Sequence, residues 1–290
     1  MIHCVRPPGA TAVNKILCVP PTNPFPCNDS SHKFIMKSLN KLVILYCRGG
    51  LGDVGRHAVR VALDRPDVDE ITVLSPHAES LEDENWKCGC PEPHKFTAEE
   101  RKRFKVIKIE SWEDESLLDH FENAKAVITA LGNRQWFLGD DVRVGGRGSH
   151  MVIKGMKKHK IERAVVISSV GIQEDWPPLE WIWPGKIMAC IFSTCSRREF
   201  RDLTEQEQNY KDSPEIDYLF VRPVGIGEDV LPQNTWLIQK EKYKDTSLYF
   251  NMAKLDCARF MVKEALEPSR HRTGAVIGAP MPEKNKKSKE

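Results

Sequence analysis

One corner of the chain constrains its fold more than any other feature. An apolar run, Lys41–Cys47, leads into Arg48-Gly49-Gly50-Leu51-Gly52-Asp53-Val54-Gly55-Arg56, and a helical pattern, Val54–Leu63, follows. Backbone can approach a bulky ligand closely only where side chains are missing. The helix behind the corner offers free N–H groups and the positive end of its dipole. Gly50, Gly52 and Gly55 satisfy G-x-G-x-x-G, while Gly49, Gly52 and Gly55 satisfy G-x-x-G-x-x-G. Either spacing alone is weak. A strand before it and a helix after it make it an expected cradle for a dinucleotide diphosphate. The alternative is a glycine-rich strand-to-helix turn that holds no ligand.

The same alternation recurs along the chain. Runs suited to strands are Lys41–Cys47, Glu70–Leu74, Phe104–Ile109, Ala124–Thr129, Arg163–Ser168, Tyr218–Val221 and Ala275–Ile277. Several are apolar throughout, as expected of parallel strands covered on both faces. Helical patterns fill the gaps at Val54–Leu63, Glu115–Phe121, Gly145–His159, Arg197–Lys211 and Asp256–Leu266. This order predicts an α/β chain with a Rossmann-type doubly wound parallel sheet in a single domain, residues 41–280. Two stretches break the rhythm: the polar segment Glu82–Glu99 and the Trp- and Pro-rich segment Ile172–Cys195. Insertions beyond the carboxyl ends of strands often form the mouth of a ligand cleft.

An NAD site usually carries an acid at the end of its second strand, about 20 residues past the glycine turn. Here the chain reads Leu74-Ser75-Pro76-His77. Ser75 is suited to bond a ribose phosphate, with Arg56 or His77 balancing its charge. NADP is therefore favoured over NAD. The competing reading is that Ser75 only caps the strand.

Charge excludes some partners. The 290 residues hold 43 basic and 41 acidic side chains, a net +2, which gives no electrostatic case for nucleic acid or an anionic membrane. No apolar run approaches the roughly 20 residues of a membrane-spanning helix. The expected partner is a small-molecule substrate, and the sequence does not fix an oligomeric state. The nine cysteines are odd in number and irregularly spaced, which argues against a disulfide scaffold and for a reducing compartment, the cytoplasm by default. Residues 1–40 carry Asp29 as their single acid and several prolines. They read as a disordered or targeting extension, with a plastid or mitochondrial transit peptide as the alternative location signal. Residues 281–290 read as a charged, disordered tail.

Other constellations carry less. Cys88-Gly89-Cys90 with His94 lacks a fourth ligand and the usual zinc spacing, so no metal is expected. Trp176, Trp181 and Trp183 would wall a flat pocket or simply pack on the sheet. The basic run Lys154–Lys160 suits the solvated end of a helix.

With these residues in view, the chain resembles the atypical short-chain dehydrogenase/reductase group. The nearest branches are the NAD(P)-binding, NmrA-like proteins and the biliverdin reductase B/flavin reductase type. Besides the glycine turn, four stretches carry the resemblance. Ala126–Gly132 is similar to the family's fourth strand and Arg163–Gly171 to its fifth. Asp217–Pro223 is similar to the strand ending in Arg-Pro, and Asp202 and Glu207 match acids on the preceding helix. The resemblance implies an NADP-dependent oxidoreductase acting on a small carbonyl, quinone or flavin-like substrate. It places Gly49, Gly50, Leu51, Gly52, Asp53, Val54, Gly55 and Arg56 on the diphosphate and adenosine side, with Ser75. Leu131, Gly132, Ser168, Pro223 and Val224 would shape the nicotinamide side, and Ser169 would be the catalytic polar group. One departure stands out. Family members that transfer protons pair a Tyr with a Lys four residues on. None of the five tyrosines here, at 46, 210, 218, 243 and 249, has that lysine. A cofactor-binding regulator without turnover is therefore the rival reading.

Overall fold

A computed structural model describes residues 40–83, 95–132, 143–172, 197–227, 230–238, 248–249 and 252–280, all within the unit Ser38–Glu290. The expectations for Cys88, Cys90, His94, the three tryptophans, residues 1–39 and the C-terminal tail lie outside these residues.

Six parallel strands form the body of the sheet: β1 (Lys41–Tyr46), β2 (Glu70–Ser75), β3 (Phe104–Lys108), β4 (Ala124–Ala130), β5 (Arg163–Ile167) and β6 (Asp217–Pro223). The short segments β7 (Ile226–Gly227), β8 (Leu237–Ile238), β9 (Leu248–Tyr249) and β10 (Met252–Ala253) precede β11 (Thr273–Pro280). Strand order is β3-β2-β1-β4-β5-β6-β11-β8, with β9 also pairing β11. β11 runs parallel to β6, while β8 and β9 are antiparallel to it. The doubly wound expectation holds. The antiparallel fringe was not foreseen, because two-residue strands carry no periodicity to read.

The helices are α1 (Asp53–Leu63), α2 (Ala98–Arg103), α3 (Val144–His159), α4 (Arg197–Lys211) and α5 (Lys254–Leu266). The Glu115–Phe121 segment is a 3-10 helix, and another 3-10 turn follows β2 at Ala78–Glu82. α2 lies at the end of the stretch read as a polar interruption. A reciprocal capping box starts it: Thr97 Oγ1 accepts the Glu100 N–H at 3.2 Å, and Glu100 accepts the Thr97 N–H at 2.7 Å.

Every residue of β1 is buried, so its alternating side chains serve two cores. Leu42, Ile44 and Tyr46 face the layer formed with α1 and α5. Val43, Leu45 and Cys47 face the layer formed with α3, α4 and the Glu115–Phe121 helix. The basic run predicted as a solvated helix end closes α3, where Lys157 pairs with Glu215 and Lys158 with Asp119. Chain order reverses between β1 and β4. In open α/β sheets the crevice beyond the carboxyl ends of such a strand pair is where ligands bind.

Candidate functional site

The glycine turn sits at that crevice. Gly49 and Gly50 have φ of 90° and 55°, left-handed backbone that glycine adopts without strain. Gly52 and Gly55 serve another purpose. A Cβ at Gly52 would overlap the Cys47 carbonyl, and one at Gly55 would overlap the Tyr46 side chain. Their absence lets α1 begin directly against β1. Gly52 donates to the Gly49 carbonyl at 3.0 Å and Gly55 to the Gly52 carbonyl at 3.0 Å. Gly50, Leu51 and Asp53 donate none of these turn bonds. First-turn N–H groups of a helix lack intrahelical acceptors. Across the crevice, Gly132 follows β4, and a Cβ there would press on Leu51 at 3.1 Å. The turn is thus a glycine-lined cradle of backbone donors, which suits a diphosphate.

Asp53 is folded into this turn. Its Oδ1 accepts the Gly49 N–H at 2.8 Å and its Oδ2 accepts Lys254 Nζ at 2.9 Å, with Arg56 at 3.7 Å. Burial alone would push the Asp53 carboxyl up. The Gly49 N–H and the Lys254 and Arg56 charges outweigh it and hold the carboxyl below its ordinary value. Neighbouring His57 is buried beside the same cations, and its ring falls to about 3, so it stays neutral.

At the end of β2, Ser75 is fully buried and its Oγ accepts the His77 N–H at 3.0 Å. The His77 carbonyl in turn accepts the hydroxyls of Tyr46 at 3.1 Å and Ser80 at 2.7 Å. His77 Nδ1 accepts the Arg48 N–H at 3.3 Å. The Arg48 side chain is largely exposed and lies 3.6 Å from Asp83. Arg56 is buried. Arg48, exposed, and His77, half-buried, thus present polar groups at this corner, while the Ser75 hydroxyl supports the turn.

The far side is built from side chains. Ser168, buried at the end of β5, donates its hydroxyl to Glu207 at 2.6 Å. Arg222, the residue before Pro223, grips the same carboxylate through Nε at 3.0 Å and a terminal nitrogen at 2.6 Å. This closed network fixes α4 against the ends of β5 and β6. It also sets the height of Ser169, which is partly exposed and whose Oγ donates to the Val170 carbonyl at 3.2 Å. Val224 donates to the Ile277 carbonyl at 3.0 Å, tying the β6 end to β11.

Acids of α4 complete this side. Asp202 accepts the N–H groups of Gly145 and Gly146, both at 2.8 Å, and so caps α3 from another helix. Burial pushes Asp202 up to about 6 despite those bonds, helped by the Glu205 charge. Glu199, one helical turn earlier on the same face, is pushed up to about 7 by burial and by Asp202. A carboxyl in that range can hold a proton at neutral pH and release it. The sequence reading missed Glu199, although an acid three residues before Asp202 on an amphipathic helix was a visible signal. It missed Lys254 too, for which no local pattern exists. Tyr46 and Tyr210 are buried in the two cores. Among the described residues no group of His, Cys, Asp or Glu is arranged to hold a metal. No helix of the described residues is long and apolar enough to cross a membrane.

Residues 49–268 match the profile of the NAD(P)H-binding family. The chain belongs to that family. No curated protein matches this NAD(P)H-binding chain. Solved structures do. A Veillonella parvula short-chain dehydrogenase/reductase in complex with NADP is 16% identical with a TM-score of 0.57, over 83% of this chain and 95% of that one. ChuY, an anaerobillin reductase from Escherichia coli O157:H7, is 16% identical with a TM-score of 0.58, over 84% and 100%. The oxidoreductase ylbE from Lactococcus lactis is 13% identical with a TM-score of 0.56, over 82% and 90%. At these identities the likeness establishes the fold. The expected Rossmann-type fold is borne out, and the family match agrees with the expected NAD(P)-binding character.

Proposed function

We propose that this NAD(P)H-binding chain is an NADP(H)-dependent oxidoreductase that reduces a small carbonyl, quinone or flavin-like molecule. The observation that carries the reading is the glycine turn, aimed at the crevice between β1 and β4, with no acid at the end of β2. Gly49, Gly50, Leu51, Gly52, Asp53, Val54 and Gly55 would hold the diphosphate. Arg48 and His77 would meet the adenosine phosphate, with Ser75 and Arg56 supporting that corner from inside. Leu131, Gly132, Ser168, Pro223 and Val224 would wall the nicotinamide side. The bound dinucleotide supplies the hydride. Ser169 would orient the acceptor oxygen, and the proton that balances the reduction would come from solvent.

A specific observation favours a second reading, binding without turnover. No tyrosine is followed by lysine four residues on, so the usual proton donor is missing. NADPH oxidation measured against quinones, flavins, aldehydes and an anaerobillin separates the two. Turnover is expected with at least one class. Ser169→Ala should cut it about tenfold, the worth of one hydrogen bond in the transition state, with NADPH affinity unchanged. No turnover across the panel, with NADPH bound, would select the regulator.

A further inference from the structure

Asp53 poses an electrostatic problem. A turn built to receive a diphosphate carries a buried carboxylate inside it, bonded at 2.8 Å to the N–H of its own first glycine. Two anions brought together in a partly dry site repel strongly, because water no longer screens them. The carboxylate is tolerable beside a diphosphate only if a cation is held against it.

That cation comes from the opposite end of the chain. Lys254 is the first residue of α5, 201 positions from Asp53, and its ammonium reaches Asp53 Oδ2 at 2.9 Å. Both side chains are buried, with relative exposures of 6% and 12%. Arg56 approaches the other carboxylate oxygen less closely, at 3.7 Å. The lysine is placed by structure that continues from the β6 end. β10 runs into α5 and pairs with β7, two residues beyond Val224. One side chain therefore joins the diphosphate turn to the segment behind the nicotinamide wall.

We infer that Lys254 is a positioning residue of the diphosphate site, neutralising Asp53 so that the glycine turn accepts an anion. The inference rests on the dinucleotide reading above. Asp53 and Lys254 form a unit. Together they brace the turn through the Gly49 N–H, and removing the lysine alone leaves an anion where an anion must bind.

Titration calorimetry of the full chain with NADP+ tests this on four variants. Lys254→Met should weaken binding about tenfold or more. Lys254→Arg, which keeps the charge, should stay within about threefold of the parent. The double variant Asp53→Asn/Lys254→Met should recover most of the loss, since no charge is left to neutralise. Should Lys254→Met fail to fold, Asp53→Asn compared with the double variant carries the test, and equal affinities are expected. A Lys254→Met protein that melts earlier yet binds NADP+ like the parent would make the lysine a mere strut and overturn the inference. So would a double variant that binds more weakly than Asp53→Asn. A folded parent that binds no NADP+ would instead overturn the dinucleotide reading itself.

Discussion

The two sides of the crevice solve the same problem by different means. On the β1–β2 side, recognition is made of backbone: glycines whose missing side chains let α1 start against β1 and leave amides open. On the β5–β6 side, position is set by side chains from distant segments: Ser168, Glu207 and Arg222 in one knot, and Asp202 on the first amides of α3. Backbone sites depend on local sequence and tolerate little insertion of volume. Side-chain knots depend on long-range partners, and their cost appears when one partner is lost. Substitutions on the two sides should therefore fail differently.

The largest effect belongs to the knot. Glu207 is fully buried and holds both Ser168 and Arg222. Glu207→Ala leaves the Arg222 charge buried without its carboxylate and should cost about 3–5 kcal/mol in urea unfolding. In the surviving folded fraction, dinucleotide affinity should fall much less than stability, because the diphosphate turn is untouched and only the Ser168 side of the nicotinamide wall loosens. A loss of affinity as large as the loss of stability would break the division between the two sides.

Gly52→Ala is the complementary change. Its Cβ collides with the Cys47 carbonyl, and backbone cannot step aside as a side chain can. The expected cost is about 1–3 kcal/mol, as for other overpacked sites, with dinucleotide binding lost more completely than stability. Retained binding would show that the cradle is softer than its geometry indicates.

A smaller effect sharpens the chemistry of the far side. Glu199 is raised from 4.5 to about 7 and Asp202 from 3.8 to about 6. The folded chain therefore holds more protons than the unfolded chain in those intervals, and its stability falls as pH rises through them. Glu199→Gln should flatten that fall between pH 4.5 and about 7, seen as a weaker pH dependence of Tm. An unchanged slope would remove Glu199 as a proton holder.

The same contrast explains what was legible in the sequence. Continuous apolar runs such as Lys41–Tyr46 and Arg163–Ile167 announce parallel strands, and a glycine turn between a strand and a helix announces itself by spacing. Side-chain direction does not. Ser75 reads as a phosphate ligand from its position, yet its hydroxyl accepts the His77 N–H in a tight turn. Ser168 and Ser169 are adjacent and alike in sequence, but Ser168 is fully buried on Glu207 while Ser169 remains partly exposed. The helix at Ala98–Arg103, which starts at the end of the polar stretch Glu82–Glu99 and runs past it, was overlooked, although Thr97 and Glu100 spell a capping box. Lys254 meets Asp53 only through the tertiary fold, and no spacing rule reaches across 201 residues.

On this account the open amides of the Gly49–Gly55 turn, those of Gly50, Leu51 and Asp53, receive a dinucleotide diphosphate. Calorimetric titration of the folded chain with NADPH and with NADH addresses it directly. Saturable binding is expected, tighter for NADPH because no acid directly follows β2, where the chain reads Ser75-Pro76-His77. Heat signals no different from dilution for both nucleotides at millimolar concentration would contradict it.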